Sequence, residues 1–246
     1  MIQKLLGEQI DVHMGGVDLI FPHHQNEIAQ SEAVTKKNLA KYWIHNEHLL
    51  VDNKKMSKSL GNYYTLHDLL DKGFKPMGIR YLLLSTHYRQ KLNLTFEGLD
   101  AAQAAVKSLN EFMLHIKGSD VKDSPKVDRL VAAVLKKFTK CMDNDLNISE
   151  ALAAIFEFHT KVNKLQGYSK SDGKKISDVM LKINKVLGVL TISNDAAPAQ
   201  VLRLIGKRES ARAAKDFKKA DKIRCEIKKL GWYVEDLESG PSARKV

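Results

Sequence analysis

Lys55-Met56-Ser57-Lys58-Ser59, followed by Leu60-Gly61-Asn62, is the stretch that decides the fold and the chemistry of this 246-residue chain. Two lysines three residues apart, beside hydroxyl groups and a glycine, suit a loop that closes on a polyphosphate. Each lysine ammonium is a compact charge with three hydrogen-bond donors. The stretch therefore predicts nucleotide activation, and a solvated turn of lysine and serine is the alternative that five residues alone leave open.

Residues 10–32, upstream of this lysine loop, read IDVHMGGVDLIFPHHQNEIAQSE. Together with the lysine loop they closely resemble the cysteinyl-tRNA synthetase family of class I aminoacyl-tRNA synthetases, whose loop has the same five residues. Tyr42–His45 and Val51–Asp52 continue the resemblance, which extends through most of the chain. Met14 and Gln25 stand where the family has a glycine and a glutamate.

The resemblance implies a ligase that uses ATP and Mg²⁺ to form cysteinyl adenylate. Such an enzyme releases pyrophosphate and passes the cysteinyl group to the 3′ end of its tRNA. The implied partners are ATP, L-cysteine and cysteine tRNA. The same resemblance makes Lys58 the principal contact of the leaving pyrophosphate, with Lys55 assisting.

The family also has a His-x-Gly-His motif that clamps ATP phosphates opposite the lysine loop, and this sequence does not contain it. From the resemblance we expect a C-terminal portion of the synthetase that lacks the N-terminal half of the catalytic domain. Nucleotidyl transfer depends on positioning and charge stabilisation from several sides. We therefore expect this portion alone to catalyse neither step. We also expect a monomer, and a separate N-terminal half is a candidate partner.

His23 and Glu27 are four residues apart in a stretch that Pro22 is predicted to start as a helix, so both side chains would share one face. An imidazole and a carboxylate are suitable zinc ligands. An ordinary helical pair of histidine and glutamate is the alternative reading of the spacing. The resemblance implies that both bind Zn²⁺, in a site left incomplete because its two cysteine ligands precede the first residue of this chain.

The first predicted strand runs from Ile10 to His13, and a second group of candidates lies at its end: His13, Gly15, Gly16 and Asp18. Glycines after a strand let the backbone approach a nucleotide, and a nearby carboxylate can accept from ribose hydroxyls. A plain glycine turn is the alternative. The resemblance implies that these residues bind the adenosine side of ATP, with Asp18 as the strongest candidate.

Composition narrows the class of protein. The formal net charge of +11 indicates a polyanionic partner, although an ordinary lysine-rich protein would also account for it. Cys141 and Cys225 have no metal-binding spacing and suggest no disulfide framework, which favours a reducing cytoplasm. No apolar run is long enough to span a membrane, and no export signal is evident.

The patterning along the chain predicts an α/β part, a mainly α-helical bundle and a small C-terminal unit. The resemblance implies that the first is a partly Rossmann-like catalytic remnant, that the bundle is of the DALR type and binds tRNA, and that the last unit binds the anticodon. We expect the catalytic part at 1–62, a stem-contact region at 63–96, the bundle at 97–190, a linker at 191–198 and the anticodon-binding unit at 199–246. Within the bundle, apolar residues spaced by three and four predict helices at about 97–116, 127–142, 149–166 and 174–190.

The last unit is rich in basic residues, and the family uses it to read the tRNA anticodon. From its sequence we select as tRNA-binding candidates Arg208, Arg212, Lys215, Lys219 and Trp232. The cations would meet phosphates, and the indole ring of Trp232 would stack on an unpaired base. Interleaved acidic residues make a solvated helix face the alternative.

Three other interpretations of the whole chain remain open. The first is the related cysteine ligase of mycothiol synthesis, which has the same catalytic motifs but no basic anticodon-binding unit. The second is a stand-alone tRNA-binding protein that has lost catalysis. The third is a helical bundle that carries a lysine loop by chance.

Overall fold

The computed structural model of the chain describes residues 2–116, 118–190, 198–214, 216–237 and 240–245. The chain forms two compact units, Met1–Leu190 and Thr191–Val246. A mixed α/β region precedes a long run of helices in the first unit, which confirms the predicted fold class. Most of the predicted linker, residues 191–197, lies outside the described residues.

The first unit opens with helix α1 (Ile2–Leu6), strand β1 (Ile10–Gly16), helix α2 (Gln25–Thr35) and strand β2 (Ala40–Asn46). The two strands are parallel, with His13 opposite Trp43 and Gly15 opposite His45. Such a pair needs a crossover, which α2 supplies.

This region differs from the sequence-based predictions in one detail and agrees in another. Strand β1 runs on to Gly16 instead of ending at His13. The prediction that Pro22 starts a helical stretch is confirmed, because Phe21 has extended backbone angles and helical angles begin at Pro22 and lead through the π-helical turn Ile20–His24 into α2.

A second sheet carries the lysine loop. Strand β3 (Leu49–Val51) pairs with β4 (Lys54–Lys55) in a tight hairpin and with β5 (Leu92–Leu94) in parallel. The hairpin turns at Asp52 and Asn53, both with positive φ, which these residue types tolerate better than most. Helix α3 (Leu66–Asp71) follows the loop, and Thr65 caps it in a capping box with Asp68.

After α4 (Pro76–Ser85), four long helices form the bundle: α5 (Phe96–His115), α6 (Pro125–Asp143), α7 (Ile148–Asn163) and α8 (Lys170–Leu187). Their ends lie within a few residues of the predicted ones. Their apolar stripes meet in one core that includes Leu109, Ile155 and Ile176, each at most 1% exposed. The helical periodicity in the sequence thus comes from this shared core.

The second unit is a pair of helices followed by a hairpin: α9 (Ala199–Ala213), α10 (Phe217–Lys229), β6 (Trp232–Leu237) and β7 (Gly240–Lys245). Its core comprises Val201, Ile205, Ile223, Ile227, Trp232 and Val234. The segment from Gly240, which reads as a tail in the sequence, is a strand paired with β6. Across the described part of the chain, no helix has the length and apolar character to cross a membrane.

Candidate functional site

The lysine loop is a short, internally bonded turn at the end of the β3–β4 hairpin. Lys55 ends β4, and Lys58 begins a 3-10 turn, Lys58–Leu60. The Asn62 side chain joins both ends of the loop: its Oδ1 accepts from the Ser57 N–H at 2.9 Å, and its Nδ2 donates to the Lys55 carbonyl at 3.1 Å. Asn62, at the end of the loop, therefore holds the segment from Lys55 to Ser57 in place.

Both lysine side chains of the loop are exposed. The Lys58 Nζ lies 5.3 Å from the ring centroid of Tyr63, within the range of a cation–π contact. The hydroxyls of Ser57 and Ser59 are 2.7 Å apart. The loop thus holds two ammonium groups and two hydroxyls together at the surface, a set that can bind phosphate oxygens.

A cluster of histidines fills the space between the β1–β2 sheet and α2. The Nε2 of His13 is 2.8 Å from Glu27 Oε2, and the Nδ1 of His24 is 2.7 Å from the Nε2 of His45. The Trp43 ring packs on the rings of His13, His24 and His45. Strand alternation brings His13, Trp43 and His45 to the same face, because residues at even spacing and directly paired residues share a side of the sheet.

His24 is the buried centre of this cluster, at 3% exposure. Burial is the main cause that lowers the pKa of His24, and the neighbouring His13 and His45 lower it further. A neutral imidazole is the form that accepts hydrogen bonds and binds metals. The cluster is therefore built around a histidine that favours its neutral state.

The glycines of the predicted nucleotide group make room for the protein's own side chains. A Cβ on Gly15 would lie 2.7 Å from His24 Cε1, and a Cβ on Gly16 would lie 2.3 Å from Asp18 Oδ1. Glycine is thus required at position 15 by the packing of the His24 ring. Asp18 is exposed in the 3-10 turn Val17–Leu19 directly after β1.

Met14, the residue that stands where the family has glycine, is paired with Ile44 and has a 60% exposed side chain. It lies on the opposite face of the sheet from His13, because neighbouring strand residues alternate. The Met14 side chain therefore does not enter the space that the histidine cluster occupies.

Glu27 is the residue around which a metal could be held. His13, His24 and Glu27 offer ligand atoms that all lie within 4.8 Å of one another. His23, the sequence-based candidate, lies 3.5 Å from Glu27 Oε1 through its Nε2, with a 60% exposed side chain. Imidazole nitrogens and a carboxylate oxygen fit zinc, and two to three such ligands leave coordination positions open.

Histidines 24 and 45 were not among the candidate ligands selected from the sequence. Their contact joins residues 21 positions apart and depends on the register of β1 with β2. The sequence does offer one signal: the stretch 10–32 contains His13 and His24, and the stretch Tyr42–His45 ends in a third histidine, His45. Cys141 is buried in α6, and Cys225 lies in α10 of the second unit.

The basic candidates of the second unit divide into three groups. Lys219 is exposed on α10, and Arg212, with a 41% exposed side chain, lies 3.8 Å from Glu209. Arg208 is only 6% exposed, and its guanidinium is 2.8 Å from Glu209, so the prediction of a phosphate-facing Arg208 is wrong. Lys215 lies outside the described residues.

Trp232 also requires a correction. It is 5% exposed in the core of the second unit, so the prediction that its indole stacks on a base is wrong. The apolar ring is more stable between α9, α10 and the hairpin than in water. The neighbouring Tyr233 is 40% exposed and presents the aromatic surface of this hairpin.

Comparison with known proteins connects both parts of the first unit to tRNA synthetases. Residues 1–104 match the model of the class I (C) tRNA synthetase catalytic domain. Residues 137–191 match the DALR domain. A LeuRS–tRNA–LeuAMS ternary complex from Agrobacterium radiobacter K84 is similar in fold, with a TM-score of 0.60 and 15% identity over 73% of this chain and 26% of that chain.

The sequence relatives are more specific. A cysteine–tRNA ligase of Chlamydia felis is 47% identical over the whole chain and 53% of the relative. Those of Chlamydia abortus and Protochlamydia amoebophila are 45% and 43% identical, again over the whole chain and 53% and 52% of the relative.

A lysine loop on an α/β scaffold, joined to a helical bundle with a DALR match, is what the chain has in common with the class I tRNA synthetases. Within that class, the chain is similar over its whole length to cysteine–tRNA ligases. It spans about half the length of the curated relatives that it matches.

Proposed function

We propose that this chain carries the lysine loop and the tRNA-binding part of a cysteine–tRNA ligase. The reaction is the ATP- and Mg²⁺-dependent activation of L-cysteine, followed by transfer to cysteine tRNA. The observation that carries the proposal is the lysine loop, whose ends Asn62 joins and whose Lys55 and Lys58 side chains are exposed. The relatives at 43–47% identity support the choice of amino acid.

In this proposal Lys58 binds the pyrophosphate as it leaves, and Lys55 supports it from the end of β4. Negative charge grows on the bridging oxygen in the transition state, and a prepositioned ammonium group stabilises that charge more than the ground state. Gly15, Gly16 and Asp18 line the adenosine side, and His13 joins them if the metal site is formed by His23 and Glu27. Asp18 is the residue that would accept from ribose hydroxyls, and its exposure is compatible with that role.

Zn²⁺ in the histidine cluster would bind the substrate as a thiolate and so distinguish cysteine from serine. Glu27 would be a ligand together with His23, as the family resemblance implies, or with His13 and His24, the group that the structure brings together. The His24–His45 contact would orient the ring of His24.

Cysteine-dependent exchange of labelled pyrophosphate into ATP tests the proposed chemistry. The 246-residue chain by itself is expected to give no exchange, and the protein at the length of its relatives is expected to be active. Lys58→Gln in that longer protein should lower kcat by at least tenfold with little change in the KM for cysteine. Exchange by the 246-residue chain, or activity with another amino acid, would contradict the proposal.

Binding of cysteine tRNA without catalysis is the second candidate function, and the exposed cations of α10 favour it. Lys218, Lys222 and Lys229 follow one outer face of this helix, away from buried Ile223 and Ile227. We infer that residues 199–246 bind tRNA in either case, and that residues 97–190 form a tRNA-binding bundle. A cytoplasmic location is part of the proposal and is supported by the two free thiols.

A further inference from the structure

Helix α6 of the bundle carries a strip of basic side chains on its outer face. Lys126, Arg129, Lys136 and Lys140 are all exposed. They lie on the side of α6 away from its buried residues, which are Val127, Val134, Phe138 and Cys141. At 1.5 Å per residue, the strip is about 20 Å long. We call these four residues the α6 strip.

The α6 strip differs from a solvated helix face because its cations lack neutralising neighbours. Among the described residues, none of the four makes an ion pair. Of the two acidic residues of α6, Asp128 pairs with Lys175 of α8, and Asp143 lies at the C-terminal end of the helix. Positive charge is therefore concentrated along the strip.

Helix α8 is the natural comparison, because it also contains five basic and two acidic residues. On α8, however, Lys170 pairs with Asp120, and Lys175 lies within 4.0 Å of three aspartates. Asp178 is one turn from both Lys174 and Lys182. Among the described residues, α8 thus has two basic side chains in ion pairs, one of them with three aspartates, whereas α6 has only Lys137 in an ion pair.

Surface grooves adjoin the α6 strip on both sides. One, of about 410 Å³, is lined by Lys126, Arg129, Leu130 and Ala133 of α6 and by Lys161 and Leu165 of α7. The other, of about 690 Å³, is lined by Lys136 and Lys140 and, at its end, by the acidic Asp143. The alanines at positions 132 and 133 between the cation pairs leave room for a polymer backbone to lie along the helix.

We propose that the α6 strip binds the phosphate backbone of the tRNA, at a surface separate from the basic unit at residues 199–246. The inference rests on the proposed function for the identity of the RNA. Repeated cations without large exposed apolar side chains suit a phosphate backbone, since a membrane surface would also require apolar anchors. The planar Arg129 guanidinium can hold one phosphate through two hydrogen bonds.

Glu157 of α7 allows a second test, in which the expected change is a gain of RNA affinity instead of a loss. Its carboxylate is 2.8 Å from Lys137 and 2.7 Å from Lys161, so it neutralises two cations beside the α6 strip. Replacing Glu157 by glutamine should release both lysines toward the RNA. A gain of affinity is the opposite of the loss that damage to a folded binding surface would cause.

The experiment measures binding of a cysteine tRNA transcript to the 246-residue chain over a series of salt concentrations. The test variant is Arg129→Gln/Lys136→Gln/Lys140→Gln, and the matched control is Lys174→Gln/Lys182→Gln/Lys185→Gln on α8. The test variant should bind at least about tenfold more weakly at low salt, and its salt slope should fall by about 2–3, near 0.7–0.9 for each lost phosphate contact. The control should change affinity less than about twofold, and Glu157→Gln should bind more tightly.

The outcomes separate the inference from the proposed function. If the wild-type chain binds no RNA, both fail. If it binds RNA and the α6 variant binds equally well, or no worse than the α8 control, the α6 strip is not an RNA surface, whereas the proposed function stands. Stronger cosedimentation with phosphatidylserine vesicles than with RNA, lost in the α6 variant, would instead make the strip a membrane surface and overturn the inference.

Discussion

The Nε of Arg89 donates a 2.6 Å hydrogen bond to Oδ2 of Asp145. The Tyr88 hydroxyl donates to the other oxygen of the same carboxylate, and His87 Nε2 lies 2.8 Å from the Asp145 carbonyl oxygen. Asp145 has a left-handed backbone, with φ 53°, in the connection between α6 and α7. One aspartate thus joins the helical bundle to the segment that follows α4.

This contact predicts a specific dependence of stability on pH. The hydrogen bond from Arg89, followed by that from Tyr88, lowers the pKa of Asp145 below 3.8. Because the folded pKa is the lower one, the contribution is complete above the unfolded value and is lost as pH falls through the folded value. The difference in urea midpoint between wild type and Asp145→Asn should be constant above about pH 5 and shrink below pH 3.8.

Asparagine is the suitable replacement because it tolerates the left-handed backbone, whereas Asp145→Ala should cost more stability through added strain. Arg89→Gln should reproduce the pH profile of Asp145→Asn. A difference from wild type that stays the same between pH 3 and pH 7 would show that the charge of Asp145 contributes nothing.

Removal of the Asn62 side chain should loosen the lysine loop. Asn62→Ala loses the hydrogen bonds of the Asn62 side chain with Ser57 and with Lys55, so the loop should open more often. Limited trypsin digestion should then cut after Lys55 or Lys58 several-fold faster than in wild type, as followed by mass spectrometry. His67→Ala, at an exposed position after the loop, is the control and should leave the rate unchanged.

Gly15→Ala should destabilise the first unit, since the new methyl group would meet the His24 ring at 2.7 Å and Leu19 at 3.0 Å. His24 is buried and bonded to His45, so it cannot move freely. We expect a loss of about 1–3 kcal/mol in the free energy of unfolding by urea denaturation.

The matched control for that substitution is Gly206→Ala, a helical position in α9 with no atom within 4 Å of the new methyl group. Alanine is the better helix former by about 0.5–1 kcal/mol, so Gly206→Ala should stabilise the second unit. Equal losses from both substitutions would show that steric contact with His24 is not the cause.

The aromatic contribution to RNA binding in the second unit should come from Tyr233. Tyr233→Ala is expected to weaken binding of a cysteine tRNA transcript by at least fivefold if the ring stacks on a base, since such stacking is worth about 1–3 kcal/mol. Trp232→Phe should lower the thermal stability of the unit and leave the affinity unchanged at low temperature, because Trp232 is buried. A loss of affinity with Trp232→Phe alone would contradict this division.

Zinc titration against a chromophoric chelator should identify the metal ligands. Glu27→Gln should remove binding, because Glu27 is common to both candidate ligand sets. If His13 and His24 complete the site, His13→Ala should weaken binding by at least tenfold and His23→Ala much less. The reverse order would assign the site to His23 and Glu27.

Local chemistry in the sequence was sufficient for much of the fold. The apolar spacing of α5 to α8 depends on residues three or four apart, and these four helices appear as predicted. Strand β2 was not predicted, because Lys41 to His45 lacks regular alternation of polar and apolar residues.

The candidate site was less accessible to sequence reasoning. The contacts of His13 with Glu27 and of His24 with His45 require the register of two parallel strands across a helix, which no local pattern encodes. Arg208 and Trp232 were assigned to the surface because charge and aromatic character suit RNA. Their positions in the helix and hairpin direct them inward instead.

The positions of the two tryptophans give the protein a natural pair of optical reporters. Trp43 lies among the histidine rings of the first unit, and Trp232 lies in the core of the second. The chain has only these two. Fluorescence of the Trp43→Phe protein therefore reports on the second unit alone, that of the Trp232→Phe protein on the first, and melting curves of the two proteins will show whether the units unfold together or in succession.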